Sequence, residues 1–328
     1  MNSFLGIGEC MVELSPTAPG RLDQGFAGDV LNTLWYARAH LPAAREVGFH
    51  SGFGSDPLSL GMKAFIGAAG IACDPSPTIA ERLPGLYMIH LDGAERSFSY
   101  WRDMSAARML MREADLLWQR VAGAEMVFLS GITLAILPPE DCAALLDGLR
   151  RHLRPGARIA FDPNIRPRLW PDHQRMLRVI EQAAALSDIV LPSFEDEHGW
   201  FGDPTPEATL RRYHALGAGQ VVVKNGAEPT LTLGAQGITR HPVPPVAGLV
   251  DTTAAGDSFN GAYLACLLRG APEAEAVAAA QHCAGQVVSR RGALIPFDQL
   301  GQGAATAPGE PAARRDATAP APRPRPAS

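Results

Sequence analysis

Residues Asp251 to Leu264 read "DTTAAGDSFNGAYL". Two carboxylates, Asp251 and Asp257, bracket a run of small or hydroxylated side chains, and apolar residues then follow at helical spacing. Asp251, Thr252 or Thr253 is placed to cap a helix whose buried stripe is Phe259, Tyr263 and Cys266 or Leu267. Ala254, Ala255 and Gly256 leave the first-turn amides open to a ligand. Such amides, with the positive end of the helix dipole, attract phosphate oxygens. The same field is expected to hold Asp257 ionised. An ionised carboxylate beside anion-binding amides suits phosphoryl transfer to an alcohol. The amides take the charge of the migrating group and the carboxylate accepts the hydroxyl proton.

The elements that would position this motif are legible upstream. The apolar runs 4–9, 125–131, 157–164, 188–193 and 220–226 read as buried strands. Segments 139–153 and 205–218 between them have helical spacing. This alternation predicts an α/β fold with a mostly parallel sheet covered by helices, and ligands at the C-terminal strand ends. "LPGLYMIHLDGAERSFSYWR" (83–102) breaks the rhythm with two extended runs around "DGAE", a hairpin expected to form a flap or lid. Period-two alternation puts Tyr100 and Arg102 on one face of its second strand. A second ribbon is read at 12–29 and a further hairpin at 229–243.

Composition narrows the classes. The net charge is -5, without a basic stripe carrying aromatics, so no nucleic-acid partner is expected. Five scattered cysteines, with no CxxC, fit reduced thiols in the cytoplasm. No stretch is long and apolar enough for a membrane span, and no membrane partner is expected. There is no GxxxxGK[ST], HExxH or GxSxG, and "GIGECM" has Met11 where a dinucleotide fingerprint needs its third glycine. Residues 1–300 are read as one folded unit, and 301–328, rich in Ala, Pro and Arg, as a disordered tail.

"DTTAAGDSFNGAYL" resembles the C-terminal signature of the ribokinase-like (PfkB) carbohydrate kinases, usually D-T-x-G-A-G-D, with Ala254 standing where that family often has Gly. The resemblance runs from about residue 4 to 298. It implies a three-layer fold with a central mostly parallel sheet, flanking helices and a small β-sheet lid over the sugar site. It also implies that Asp257 is the catalytic base and that the amides around Ala255 and Gly256 form an anion hole.

"GECMVELSP", "GFAGDVLNT", "SYWRDMSAA", "FDPNIRPRLW" and "VVVKNGA" are similar, within that family, to bacterial kinases of 2-dehydro-3-deoxygluconate. By that similarity Gly28, Asp29 and Asn32 hold substrate hydroxyls, and Ala27 replaces the first of a usual glycine pair. Tyr87, Tyr100 and Arg102 come from the lid and Arg166 from a strand end. Two arginines converging on one ligand suit a sugar acid, since a guanidinium pairs with a carboxylate bidentately. Asn164, Ser193, Lys224, Asn225, Gly226 and Ala254 to Gly256 are implied on the ATP side. Ser193 and Asp196 replace the Asn and Glu of an N-x-x-E element that holds the water shell of Mg²⁺. Glu195 and Glu197 read as solvated helix-start charges. A monovalent cation near Asp251 and Thr253, and a homo-oligomer formed through the lid, are further implications of the family.

Overall fold

The computed structural model describes residues 3–18, 20–92, 95–234, 237–246 and 248–301. The expected tail, apart from Gly301, and the Gly93–Ala94 turn of the hairpin lie outside the described residues.

The chain opens with β1 (Ser3–Ile7), β2 (Met11–Ala18), β3 (Arg21–Ala27), α1 (Asp29–His40), β4 (Glu46–His50) and α2 (Pro57–Ala68). It continues through β5 (Gly85–Asp92), β6 (Glu95–Trp101), α3 (Ala114–Gly123), β7 (Ala124–Ser130), α4 (Gly131–Ile136) and α5 (Pro139–His152). Then come β8 (Arg158–Asp162), α6 (His173–Leu186), β9 (Ile189–Val190), α7 (Phe194–Phe201) and α8 (Pro206–Ala215). The last elements are β10 (Gln220–Val223), β11 (Thr230–Gly234), β12 (Gly237–His241), α9 (Ala255–Leu268) and α10 (Glu273–Val288).

Eight strands form one sheet in the order β12-β11-β10-β9-β8-β7-β1-β4. Every pair from β4 to β10 is parallel, and β11 and β12 add an antiparallel edge. The strands are apolar on both faces because helices cover both. Phe4, Met126, Phe128 and Ala160 face a core shared with α1, α2, α9 and α10. Their neighbours Leu5, Val127, Leu129 and Phe161 face the core of α3, α4, α5, α6 and α8. Period-two alternation thus sorts each strand between two helical layers.

A second sheet, order β3-β2-β5-β6, stands apart from the first. Here β5 and β6 pair antiparallel, with Tyr87 opposite Tyr100. The strand ends at Trp101, so the alternation that would have put Arg102 beside Tyr100 stops one residue short. Among the described residues, no helix is long and apolar enough to cross a membrane.

Candidate functional site

A cavity of about 460 Å³ opens where the C-terminal strand ends, the first turn of α9 and the small sheet meet. Asp257 is the third residue of α9. Asn32, from the buried side of α1, donates through Nδ2 to Asp257 Oδ2 at 2.8 Å, and its own Oδ1 accepts the Gly28 amide at 3.3 Å. Gly28 has to be glycine: a Cβ there would sit 2.2 Å from the Glu9 carbonyl oxygen. Ala27, just before it, packs with Met11, Tyr87, Ile89 and Ala293.

The start of α9 departs from expectation in three ways. First, none of the expected residues caps it. Ala254 occupies that position in the left-handed region, φ 60°, without a side-chain cap bond. Asp251 instead accepts the Thr253 amide at 3.0 Å and the Gly292 amide at 2.9 Å, tying the approach to α9 to the chain beyond α10. Second, the Ala255 amide is spent within that turn on the Thr252 carbonyl, at 3.2 Å. The amides of Gly256 and Asp257 have no partner among the described residues, as helix geometry dictates for a first turn. Third, the surroundings of Asp257 oppose its ionisation rather than favour it. Burial, and then the charge of Asp29, push its pKa up to about 7, against the opposing Asn32 hydrogen bond.

Asp29, the first residue of α1, accepts from Asn164 Nδ2 at 2.8 Å. Asn164 sits at φ 34°, a left-handed conformation that asparagine tolerates, and its amide donates to Asp162 Oδ1 at 3.0 Å. Asp162 also receives Lys224 Nζ at 2.7 Å and Asn260 Nδ2 at 2.6 Å. Lys224 is therefore a wall of the cavity, whereas Asn225 and Gly226 continue into the next turn and do not line it.

From the small sheet, Tyr87 and Tyr100 line the cavity with ring centroids 5.9 Å apart. The Tyr87 hydroxyl donates to Glu13, and burial with that neighbouring carboxylate raises its pKa. Phe98 joins this aromatic wall, 6.2 Å from Tyr87. Arg102 does not line the cavity. Its guanidinium is buried against the carboxylate of Glu9, which is only 2% exposed and also takes the Ser105 hydroxyl. A carboxylate so deeply buried needs a cationic partner, and Arg102 supplies it.

Arg166 does reach the cavity, with Nη1 3.6 Å from Asp196 Oδ2 and its side chain half exposed. Asp196 and Ser193 share that wall. Burial raises the pKa of Asp196, with Arg166 opposing. The neighbouring Glu197 is not a solvated charge: it is fully buried, bonded to Arg212 at 2.6 Å and to the Tyr213 hydroxyl at 2.9 Å. Helix periodicity explains this, because α7 turns the position after Asp196 onto α8.

No motif in the sequence marks Asp162, Asn260 or Phe98 as a site residue, although Asp162 and Phe98 line the cavity and Asn260 bonds to Asp162. The "FDPN" string did carry a signal for Asp162, a carboxylate closing a parallel strand where such sheets gather ligands. Asn260 lies among the buried residues of α9, and only its contacts identify it.

The model of the pfkB family of carbohydrate kinases matches residues 1–300. A 2-dehydro-3-deoxygluconokinase of Dickeya dadantii is 37% identical over 302 residues, covering 90% of this chain and 97% of that protein. One from Escherichia coli K12 is 36% identical over 301 residues, again with 90% and 97% coverage. The solved PfkB protein of Polaromonas superposes with a TM-score of 0.76 at 30% identity, covering 88% of this chain and 96% of that one. With that match covering residues 1–300, the chain belongs to the pfkB family of carbohydrate kinases.

Proposed function

We propose that the chain is an ATP-dependent kinase that phosphorylates the terminal hydroxyl of 2-dehydro-3-deoxygluconate, the sugar acid in the names of its relatives. One observation carries the reading at the site. Asp257, its Asn32 partner and the two unpaired amides of α9 share a cavity with the guanidinium of Arg166. In this reading Arg166 takes the carboxylate of the sugar acid, and Asp29, Asn32 and Gly28 take its hydroxyls. The terminal hydroxyl then meets Asp257. Its oxygen bonds to the γ-phosphorus, the bond from phosphorus to the bridging oxygen of ADP breaks, and the proton passes to Asp257. A carboxylate whose pKa lies near 7 is a stronger proton acceptor than an ordinary one, so the raised value serves the reaction. The aromatic wall of Tyr87, Phe98 and Tyr100 covers one side of the cavity, where shielding from water would favour transfer to the sugar over hydrolysis.

Among the described residues no group of three or more His, Cys, Asp or Glu is arranged to hold a metal. Mg²⁺ keeps waters and takes its remaining ligands from phosphates and one or two carboxylates. Asp196 would hold it through water, and the bound ion would neutralise charge on the phosphate oxygens.

Kinetics with ATP and 2-dehydro-3-deoxygluconate, its galactonate epimer and fructose test the proposal. A neutral sugar preferred over both acids would leave Arg166 without a role and overturn the substrate assignment.

A further inference from the structure

The four strands of the small sheet converge on Glu9. This residue lies in the link from β1 to β2, is buried and does not line the cavity. The innermost rung of the sheet sets Ala27 beside Met11 and Met11 beside Gly85, and the next sets Leu86 beside Trp101. At that end β2 leaves Glu9 through Cys10. The end of β3 meets it at Gly28, where a Cβ would crowd the Glu9 carbonyl oxygen. The start of β5 meets it at Gly85, where a Cβ would lie 2.9 Å from Glu9 Oε1. The end of β6 meets it through Arg102, whose guanidinium pairs with Glu9 Oε2. The Ser105 hydroxyl donates to Oε1 at 2.5 Å, and the Ala106 amide donates to the Leu83 carbonyl at 2.8 Å, closing the exit of β6 onto the entry of β5. Tyr87 and Tyr100 of the cavity wall each stand two residues from a group held by Glu9, namely Gly85 and Arg102. On the other side, the amide of Gly28 bonds to Asn32, the partner of Asp257.

We infer that Glu9 is a positioning residue for phosphoryl transfer: its carboxylate, through Arg102 and Ser105, sets where Tyr87 and Tyr100 stand over the sugar acid, and its carbonyl seats Gly28 beside Asn32 and Asp257. The inference rests on the kinase reading above and deepens it. Glu9 touches neither sugar nor nucleotide and acts only through these neighbours. A buried ion pair adds little net stability over apolar groups of the same volume. What it supplies here is direction, because guanidinium and carboxylate pair in a fixed geometry. One side chain therefore fixes the aromatic wall, and the backbone of the same residue fixes the glycine next to the partner of the base. The distance between the wall and Asp257 is set at a single point.

The test is Glu9→Gln, which keeps the size of the side chain and removes the charge that orients Arg102. Steady-state turnover of 2-dehydro-3-deoxygluconate with ATP and Mg²⁺ is compared with wild type, ADP affinity is measured by calorimetry, and amide hydrogen exchange is followed in the ligand-free proteins. A displacement of about 1 Å at a reacting site costs up to ~10²-fold, so kcat/KM for the sugar acid should fall by that order while the Kd of ADP stays within about threefold. Exchange should quicken in β5 and β6 and stay unchanged in β7 and β8. A folded variant with wild-type kcat/KM would reduce the ion pair to packing and overturn the inference. So would equal losses of sugar-acid and ADP affinity, or exchange that quickens alike in both sheets, since either marks a general loosening. Should Glu9→Gln not fold, Ser105→Ala leaves the ion pair in place and removes one bond to the carboxylate. It should lower kcat/KM by about tenfold at unchanged ADP affinity, and an unchanged kcat/KM overturns the inference. Wild type inactive on both sugar acids would instead refute the kinase reading, while the exchange pattern still decides whether Glu9 holds the small sheet.

Discussion

Asn32 Nδ2 donates to Asp257 Oδ2 at 2.8 Å, joining residues 225 positions apart in the sequence. The contact exists because α1 and α9 pack almost backbone to backbone at Gly261, where a Cβ would lie 2.3 Å from the Thr33 carbonyl oxygen. Tyr36 adds a hydrogen bond to the Ala293 carbonyl at 2.7 Å, and α9 is buried on nearly all sides. Asp257 is thus held through a close helix–helix contact, and its environment decides its proton affinity.

Asp257→Asn should lower kcat by ~10²–10⁴-fold, the usual contribution of a positioned base. ADP affinity should change little, since the variant keeps the α9 amides and can still accept from Asn32. A coupled ADP-release assay with calorimetric ADP binding checks both. Turnover near wild type would remove the base assignment.

The pH dependence follows from the raised pKa of about 7. In the role proposed for Asp257 the carboxylate works deprotonated, so kcat/KM should climb as pH rises through about 7 and level off above it. For stability the sign is opposite. The native state holds this proton more tightly than the unfolded chain, so the stabilisation is complete below the unfolded value near 3.8 and is lost as pH rises through about 7. Asp257→Asn should therefore raise Tm at pH 8 by about 1–3 °C relative to wild type and give no such gain near pH 4. Equal gains at both pH values would show that the carboxylate carries no such penalty.

The two arginines should separate. Arg166→Ala should raise KM for the sugar acid ~10–100-fold with ATP little affected, as expected for a charge-assisted pair. Arg102→Ala leaves Glu9 buried and uncompensated, and should cost about 3–5 kcal/mol of stability. Denaturant titration of both variants gives the contrast. A stable Arg102→Ala protein that lost only sugar-acid binding would return Arg102 to the ligand.

Gly261→Ala places a methyl group against the Thr33 carbonyl and the Ala37 amide, within 2.9 Å of both. Overpacking of this kind costs about 1–3 kcal/mol. Because the displaced helix carries Asn32, kcat should fall as well. A variant destabilised with full kcat would show that the Asn32–Asp257 contact tolerates the shift.

Ala254 occupies φ 60° at the mouth of α9. An L-residue there is strained by roughly 1–2 kcal/mol, which glycine avoids. Ala254→Gly should therefore gain about 1 kcal/mol, offset in part by the entropy of glycine in the unfolded chain. A loss of stability would mean that the Ala254 methyl packs more usefully than its backbone is strained.

What the chain announced by itself was whatever depends on local pattern. Apolar runs alternating with helical spacing gave the parallel sheet, because a strand covered on both faces must be apolar throughout. The extended runs around Tyr87 and Tyr100 gave the hairpin, and the bare run before Asp257 gave the helix start. Tertiary packing decided the electrostatics and the pairing. The string could not show that Asp29 faces Asp257, that Glu9 claims Arg102, that Glu197 is buried on Arg212, or that Asp162 and Asn260 hold Lys224. Each of these is an interaction between charges or dipoles brought together by distant elements. Such energies depend on distance and burial, and neither is set by spacing along the chain.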